Sequence, residues 1–381
     1  MKEIYYWSPC LSKVGTVSST INSAIGLSKY GKYKVKIINA CGEWDAYKKK
    51  FSDNKIDVID FPIKIFKYLP KEGFLNSRVS YLIIFLFSFF PLIKLLKKKS
   101  PEFLVIHLIT SLPLFLLILF KFNTKFILRI SGLPKLNILR GIFWRSLSRK
   151  VYKVTTPTIG LLNYLDSKNI FKKEKLFYLP DAMINLKDFA SSKYIKEDVN
   201  NKLIKESYFI AVGRLTRQKN FNYLINEFYD FSKINSEYKL LIFGNGEEKK
   251  ILHDQIKRKK LSNRIFLMGF SNNIDFYMKK SSAFILSSLW EEPGAVLIEA
   301  ALNNTFIISS DCPYGPSEFL ESGKFGSLYK SNEKNELANK LLEFANDKDE
   351  NKKKRIGAKR NCFKYTMFRH YLNLTKILDS D

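Results

Sequence analysis

The 381-residue chain reads as an α/β protein built from two doubly wound parallel sheets. Three observations predict this. The length exceeds what one ordinary hydrophobic core serves. Short apolar runs alternate with segments of helical period, the pattern of strand–helix–strand units. That alternation stops in a polar, charged stretch from about Asp188 to Lys205 and then begins again, which places a linker there.

Taken in order, Ile4 to Trp7 is a first strand, followed by a polar loop with Gly15, Thr16, Ser18 and Ser19. A helix from about Thr20 to Lys29 leads to the strand from Lys34 to Asn39. Ligands of doubly wound sheets gather in loops at the carboxyl ends of strands, so residues 8 to 19 are a site candidate as well as ordinary loop chemistry. Two very apolar tracts follow, Tyr81 to Leu96 and Phe103 to Phe120. The second lacks charge over eighteen residues, the lower limit for a membrane span. Its interior instead suggests a buried strand from Phe103, a turn at Thr110 to Pro113 and a helix from Leu114. The first suggests an apolar helix split by Pro91 and closed by Lys97 to Lys99. Flanking cations at Lys71, Lys94, Arg140, Arg145, Arg149 and Lys150 suit either a peripheral contact with anionic headgroups or a solvated core helix. Arg129 and Lys135 bracket a Gly/Pro loop after the strand from Lys125, which either touches an acceptor or is only a turn.

The second half repeats the scheme. A strand from Tyr208 ends at Gly213 and opens the basic loop Arg214 to Lys219; a strand from Lys239 ends in Gly244-Asn245-Gly246; a strand from Ile265 ends in Gly269-Phe270. After the strand Ala283 to Leu286 comes Ser287-Ser288-Leu289-Trp290-Glu291-Glu292-Pro293-Gly294, then an apolar helix from Ala295 with Glu299 one turn inside. The first turn of such a helix presents unpaired N–H groups and a positive dipole end, which favour phosphate. Glu299 would reach ligand hydroxyls, and Glu291 would sit at the loop mouth. The stretch from Asn351 to Leu378 reads as one basic amphipathic helix.

Composition narrows the chemistry. Lys and Arg number 64 against 36 acids, a net charge of +28, which predicts nucleic acid, an anionic membrane surface or phosphorylated small molecules as partners. The four scattered cysteines form no Cys-x-x-Cys pair, and with three histidines this argues for a reducing compartment and no metal site. The N-terminal residues lack a signal-peptide core, so a cytoplasmic chain is expected.

The ordered set Gly213-Arg214 to Lys219, Gly244-Asn245-Gly246, Gly269-Phe270 and Glu291 with seven residues before Glu299 resembles the nucleotide-sugar domain of retaining glycosyltransferases of family 4. The likeness is specific from about Tyr208 to Tyr329. It implies the GT-B fold, two Rossmann-like domains facing across a cleft. Residues 1–190 would form a membrane-proximal acceptor domain and 191–350 the nucleotide-sugar domain, with a helix over 351–381 packing back towards the first. By the same resemblance Arg214 and Lys219 would grip the donor diphosphate, Glu299 the ribose hydroxyls, Glu291 the donor sugar, and Gly294, Ala295 and Val296 the phosphate and sugar. Gly213, Gly244, Gly246 and Phe270 would line the nucleotide-sugar site. His107 would reach the sugar from the first domain, and Gly15, Thr16, Arg129 and Lys135 would face the acceptor. The family's glycine pair after the first strand is absent, and Glu292 stands where glycine is usual.

The function this implies is transfer of a sugar, with retention and without metal or cofactor, from a UDP- or GDP-linked donor to a lipid-linked or oligosaccharide acceptor. Bacterial cell-surface polysaccharide or lipopolysaccharide synthesis at the inner face of the membrane is the expected setting, with no nucleic acid as partner. A glycoside hydrolase also uses paired carboxylates, a nucleic-acid-binding protein would also carry +28, and a membrane-bound scaffold with a degenerate site is a third alternative.

Overall fold

The computed structural model describes residues 2–10, 15–31, 33–70, 74–134, 136–191 and 205–380. The chain forms two compact units, residues 1–185 with 365–381, and residues 186–364. In chain order the first contains β1 (Lys2–Trp7), α1 (Gly15–Tyr30), β2 (Tyr33–Asn39), α2 (Lys48–Ser52), β3 (Asp57–Asp60), α3 (Phe74–Lys99), β4 (Phe103–Ile106), α4 (Ser111–Leu119), β5 (Lys125–Arg129), α5 (Ile138–Leu147), β6 (Lys153–Thr156), α6 (Ile159–Ser167) and β7 (Leu176–Tyr178). The second contains α7 (Leu186–Ser191), β8 (Tyr208–Val212), α8 (Phe221–Ile234), β9 (Lys239–Phe243), α9 (Lys249–Arg258), β10 (Ile265–Gly269), α10 (Ile274–Lys280), β11 (Ala283–Leu286), α11 (Ala295–Leu302), β12 (Phe306–Ser310), α12 (Pro316–Phe319), β13 (Ser327–Tyr329), α13 (Glu336–Asn346) and α14 (Lys348–Cys362). The chain then returns to the first unit as α15 (Met367–Asp379).

Both sheets are parallel, with orders β3-β2-β1-β4-β5-β6-β7 and β10-β9-β8-β11-β12-β13. The strand order reverses between β1 and β4 and again between β8 and β11. Loops leaving those strand pairs diverge and leave a crevice at their carboxyl ends. In the first unit that end carries His107, directly after β4; in the second it carries Gly213 to Lys219 and Ser287 to Gly294.

In the first unit α3, α4, α5 and α6 cover one sheet face and α1, α2 and α15 the other, each with its own apolar core. Strands buried on both faces need apolar side chains in unbroken runs, which is why they stand out in the sequence. Helix α3 is long and apolar enough to cross a membrane by length and composition. Yet Ser80, Ile84, Ser88, Leu92 and Leu96, four residues apart, are buried, and the three apolar ones belong to the core beneath the sheet. It is therefore a layer helix. Pro91 does not split it as the sequence suggested; one missing N–H is tolerated where apolar packing holds the turns on both sides.

The C-terminal stretch is two helices rather than one. Phe363–Tyr365 forms a tight turn, and the Thr366 side chain accepts from Arg369 N to start α15. Helix α15 lies against α1, tied by polar groups in an otherwise apolar layer. The His370 ring donates from Nδ1 to the Pro180 carbonyl at 2.6 Å, so its neutral Nε2 accepts from Ser23 Oγ at 2.8 Å. Ser23 in turn accepts from the Tyr6 hydroxyl at 2.8 Å. At the other end, buried Lys153 donates to the Ile377 carbonyl at 2.6 Å and to Ser380, placing a cation on the negative end of the helix.

Burial lowers the His370 pKa to about 4, the Pro180 bond opposing this in part, and lowers that of His107 to about 3. Both folded values lie below the ordinary 6.5, so the unfolded chain binds these protons more tightly. Stability is then full above about pH 6.5 and falls towards pH 4, by about 1.4 kcal/mol per pH unit for each histidine. Urea unfolding followed at pH 7, 6 and 5 should show this decline, and His370→Gln should have a shallower slope.

Candidate functional site

The second unit gathers its chemistry at the ends of β8, β9 and β11. Gly213 N donates to the Phe243 carbonyl and Leu215 N to the Asn245 carbonyl, both at 2.9 Å, which press the loops after β8 and β9 together. Gly244 is required by this approach: its φ is +137°, and a β-carbon would lie 1.8 Å from the Gly213 carbonyl oxygen. Gly246 lies against the Leu215 carbonyl in the same seam. Arg214 is exposed and its side chain makes no hydrogen bond or ion pair with the described residues, whereas Lys219 is turned inward.

Lys219 forms an ion pair with Glu291 Oε1, the two side chains only 12% and 8% exposed. Ser288 Oγ donates to the same carboxylate at 2.6 Å. The two loops are stitched further by Ser287 Oγ to the Lys219 carbonyl at 2.7 Å, Leu289 N to the Gln218 carbonyl at 2.9 Å and Gln218 Nε2 to the Trp290 carbonyl at 2.9 Å. Glu291 exchanges backbone hydrogen bonds with the Pro313–Tyr314 segment, which fixes the acid from behind. The chain then turns at Gly294, whose φ of +87° starts α11. Ala295 and Val296 form the first helical turn, partly accessible.

One turn on, Glu299 is open to solvent on one side and ringed by protein on the others. Desolvation, and then the nearby Asp275 charge, push its carboxyl up to about 7, and Lys219 opposes them; water at its open side tempers the rise. The charge of Lys219 therefore acts on both acids. Phe270, 76% exposed, follows β10. The strand ends of this unit thus carry an exposed guanidinium, an amine paired with Glu291, a helix N-terminus and the Glu299 carboxyl.

In the first unit His107 is 7% exposed and held at both nitrogens. Thr20 Oγ1 donates to the Thr16 carbonyl at 3.0 Å, so at 2.8 Å it accepts from His107 Nδ1. Bare Nε2 accepts from Ser131 Oγ at 2.7 Å. Burial and the Arg129 charge keep this ring neutral. It lines a cavity of about 550 Å³ with Ser131, Arg140, Phe143 and Trp144. Gly15 and Thr16 form the first turn of α1, and Lys135 lies outside the described residues.

Arg129, expected at the end of its strand to touch an acceptor or to flank a plain turn, closes β5 and lines the same cavity, but its charge is bound from within. Its guanidinium is 4% exposed and donates to the Leu179 carbonyl and to Asp181 Oδ1, each at 2.6 Å. Burial alone would lift the Asp181 carboxyl; the Arg129 charge and the Ser19 hydroxyl hold it below its ordinary value. Arg129 is thus spent on an internal ion pair. Sequence reasoning also passed over Thr20, Ser131 and Asp275, short polar residues whose partners lie far along the chain, and gave Ser288 no role although it stands in the quoted motif.

Residues 194–361 match the family model Glycosyl transferases group 1. An uncharacterised glycosyltransferase of Methanocaldococcus jannaschii is 30% identical over 247 residues, 61% of each chain. The N-acetylgalactosamine-N,N'-diacetylbacillosaminyl-diphospho-undecaprenol 4-alpha-N-acetylgalactosaminyltransferase of Campylobacter jejuni is 26% identical over 213 residues, 49% of this chain and 57% of that one. This chain thus spans about three fifths of the length of these relatives. Among solved structures, the Anabaena protein HepE in complex with UDP and glucose has the same fold, with a TM-score of 0.74 at 15% identity over all of both chains. Two parallel α/β domains of the GT-B type are therefore the fold of this chain.

The Arg129 pair makes its own prediction. Removing one member strands a buried charge, so Arg129→Ala should lose about 3–5 kcal/mol of unfolding free energy in urea. Wild-type stability in that variant would return Arg129 to a ligand-facing role.

Proposed function

From the match of residues 194–361 to the family model Glycosyl transferases group 1, we propose that the chain moves a sugar from a nucleotide-diphosphate donor to a glycan acceptor with retention at the anomeric carbon. The observation that carries this reading is the placement of Arg214, Lys219 and the start of α11 at one strand edge with Glu299. Cations and helix N–H groups suit a diphosphate, and a carboxylate one helical turn away suits ribose hydroxyls.

In the reaction the bond from the anomeric carbon to the β-phosphate oxygen breaks. Positive charge grows on the sugar and negative charge on the leaving diphosphate. Arg214 and Lys219 meet the latter, so no metal ion or cofactor is needed. The acceptor hydroxyl attacks from the face the phosphate leaves, and its proton passes to the departing phosphate oxygen. Lys219 and Ser288 hold the Glu291 carboxylate in place beside the donor sugar. Neutral His107 offers Nε2 as a hydrogen-bond acceptor for a hydroxyl of a ligand entering the first unit's own cavity, the place that Ser131 Oγ takes here.

The donor is a UDP- or GDP-sugar. The acceptor is a lipid-linked glycan of bacterial cell-surface polysaccharide or lipopolysaccharide synthesis; the undecaprenol-linked substrate in the Campylobacter relative's name supports this class. The net charge of +28 supports a peripheral position at the inner face of the cell membrane, and no nucleic acid is involved.

Thermal melting against UDP, GDP and their sugars should identify the donor, with the matching nucleotide raising Tm. Arg214→Ala is the clean kinetic test, because the side chain is exposed: kcat should fall roughly 100- to 1000-fold with the unliganded Tm unchanged. Full activity in that variant would remove the proposed mechanism. Burial and Asp275 raise the Glu299 carboxyl above its ordinary range, so donor binding should strengthen as pH rises from that range towards 7, and Glu299→Gln should flatten that profile. The anomeric proton coupling of the product, read by NMR, should match that of the donor, and activity should survive EDTA.

A further inference from the structure

Helix α3 is apolar on two opposite sides, and only one of them faces the core. Against the buried stripe from Ser80 to Leu96 runs a second one: Val79, Leu82, Leu86 and Phe90, at spacings of three and four residues, are 50%, 58%, 60% and 77% exposed. The same line continues into Lys94 and Lys97, followed by Lys98 and Lys99, all exposed. Helix α4 packs between α3 and α5, and α5 shows Ile138, Leu139 and Ile142 at 82%, 77% and 59% exposure, with exposed Arg145 behind them. Where α3 passes the end of β3, a cavity of about 680 Å³ opens, walled by Ile59, Phe61 and Phe90 and rimmed by Lys94, Lys98 and Lys99.

Large apolar side chains exposed in rows on neighbouring helices mark an interaction surface. The chemistry here selects the occupant. We propose that the α3–α5 face docks on an anionic phospholipid bilayer, with Leu82, Leu86 and Phe90 entering the acyl boundary, the lysines meeting lipid phosphates, and the cavity by β3 receiving an acyl chain. A second copy of this chain would bury the apolar stripe but supply no acidic group for Lys94, Lys97, Lys98 and Lys99, because α3 from residue 78 to 99 has none. A neutral apolar partner would leave the cations without counter-charge. Apolar side chains bounded by several cations give both terms of interfacial binding, area and attraction to negative headgroups. The inference rests on the proposed position at the membrane and identifies the surface responsible; the donor chemistry of the second unit does not depend on it.

The full-length chain is to be sedimented with sucrose-loaded vesicles of equal phosphatidylglycerol and phosphatidylcholine, and with phosphatidylcholine alone, at low and high salt. The expected result is co-sedimentation with the anionic vesicles, at least tenfold weaker on the neutral ones and weakened by salt. Leu86→Asp with Phe90→Asp should abolish binding. Lys94→Gln with Lys98→Gln and Lys99→Gln should weaken it roughly 100-fold. The thermal shift with the donor nucleotide is measured on every variant, and transfer to a lipid-free acceptor on the wild type. If the aspartate variant loses the thermal shift through misfolding, the lysine variant decides. Failure of the wild type to sediment, or wild-type binding in the lysine variant, would overturn the proposal. So would a dimer in sedimentation velocity that Leu86→Asp dissolves. Transfer to the lipid-free acceptor alongside absent vesicle binding would sink this surface alone and leave the transferase standing.

Discussion

One buried cation organises the second unit's strand ends. The Lys219 amine is withdrawn from water against Glu291, which Ser288 also binds, while backbone bonds tie each loop to its neighbour. Burying such a pair costs desolvation on both sides, and its attraction does little more than offset that cost. Its effect is to fix position. The amine, the carboxylate and the start of α11 are held in place by protein groups alone, so the diphosphate of the proposed donor would meet a formed charge pattern instead of ordering one. The tight seam at Gly244 serves the same end by bringing the loops after β8 and β9 into backbone contact.

The first unit solves a different problem. His107 lies among charged and titratable neighbours, Arg129, Asp181 and His370, yet burial and the guanidinium keep it neutral, and Thr20 fixes which nitrogen carries the proton. A neutral ring with a bare Nε2 accepts hydrogen bonds and delivers no proton at ordinary pH. Arg129 and Asp181 neutralise each other beneath it. Charge acts in the second unit, and hydrogen-bond geometry acts here.

Much of the fold was legible because a parallel strand covered on both faces must be apolar throughout, as Phe103–Ile106 and Tyr208–Val212 are. The position of the loop before α11 was legible because a Pro-Gly pair breaks the chain and an apolar run of helix formers restarts it. What failed to show has physical causes. Arg129 after a strand and beside a Gly/Pro loop looks like a binding cation, but Asp181, its partner, lies 52 residues on. The tail looked like one helix because both of its halves have helical period, and the break depends on the Thr366 cap. Both stripes of α3 are apolar, and the exposed one is the more so because the buried one contains Ser80 and Ser88, so composition could not say which side the sheet would cover. Asp275 acts on Glu299 from α10, a neighbouring helix that sequence spacing does not connect to it.

The most direct measurement is the crystal structure of the chain with its donor nucleotide bound. The account predicts the diphosphate within hydrogen-bond distance of Arg214, the Lys219 amine and the first N–H groups of α11, and the ribose on Glu299. A nucleotide seated elsewhere, with the Lys219–Glu291 pair and Glu299 untouched, would contradict it.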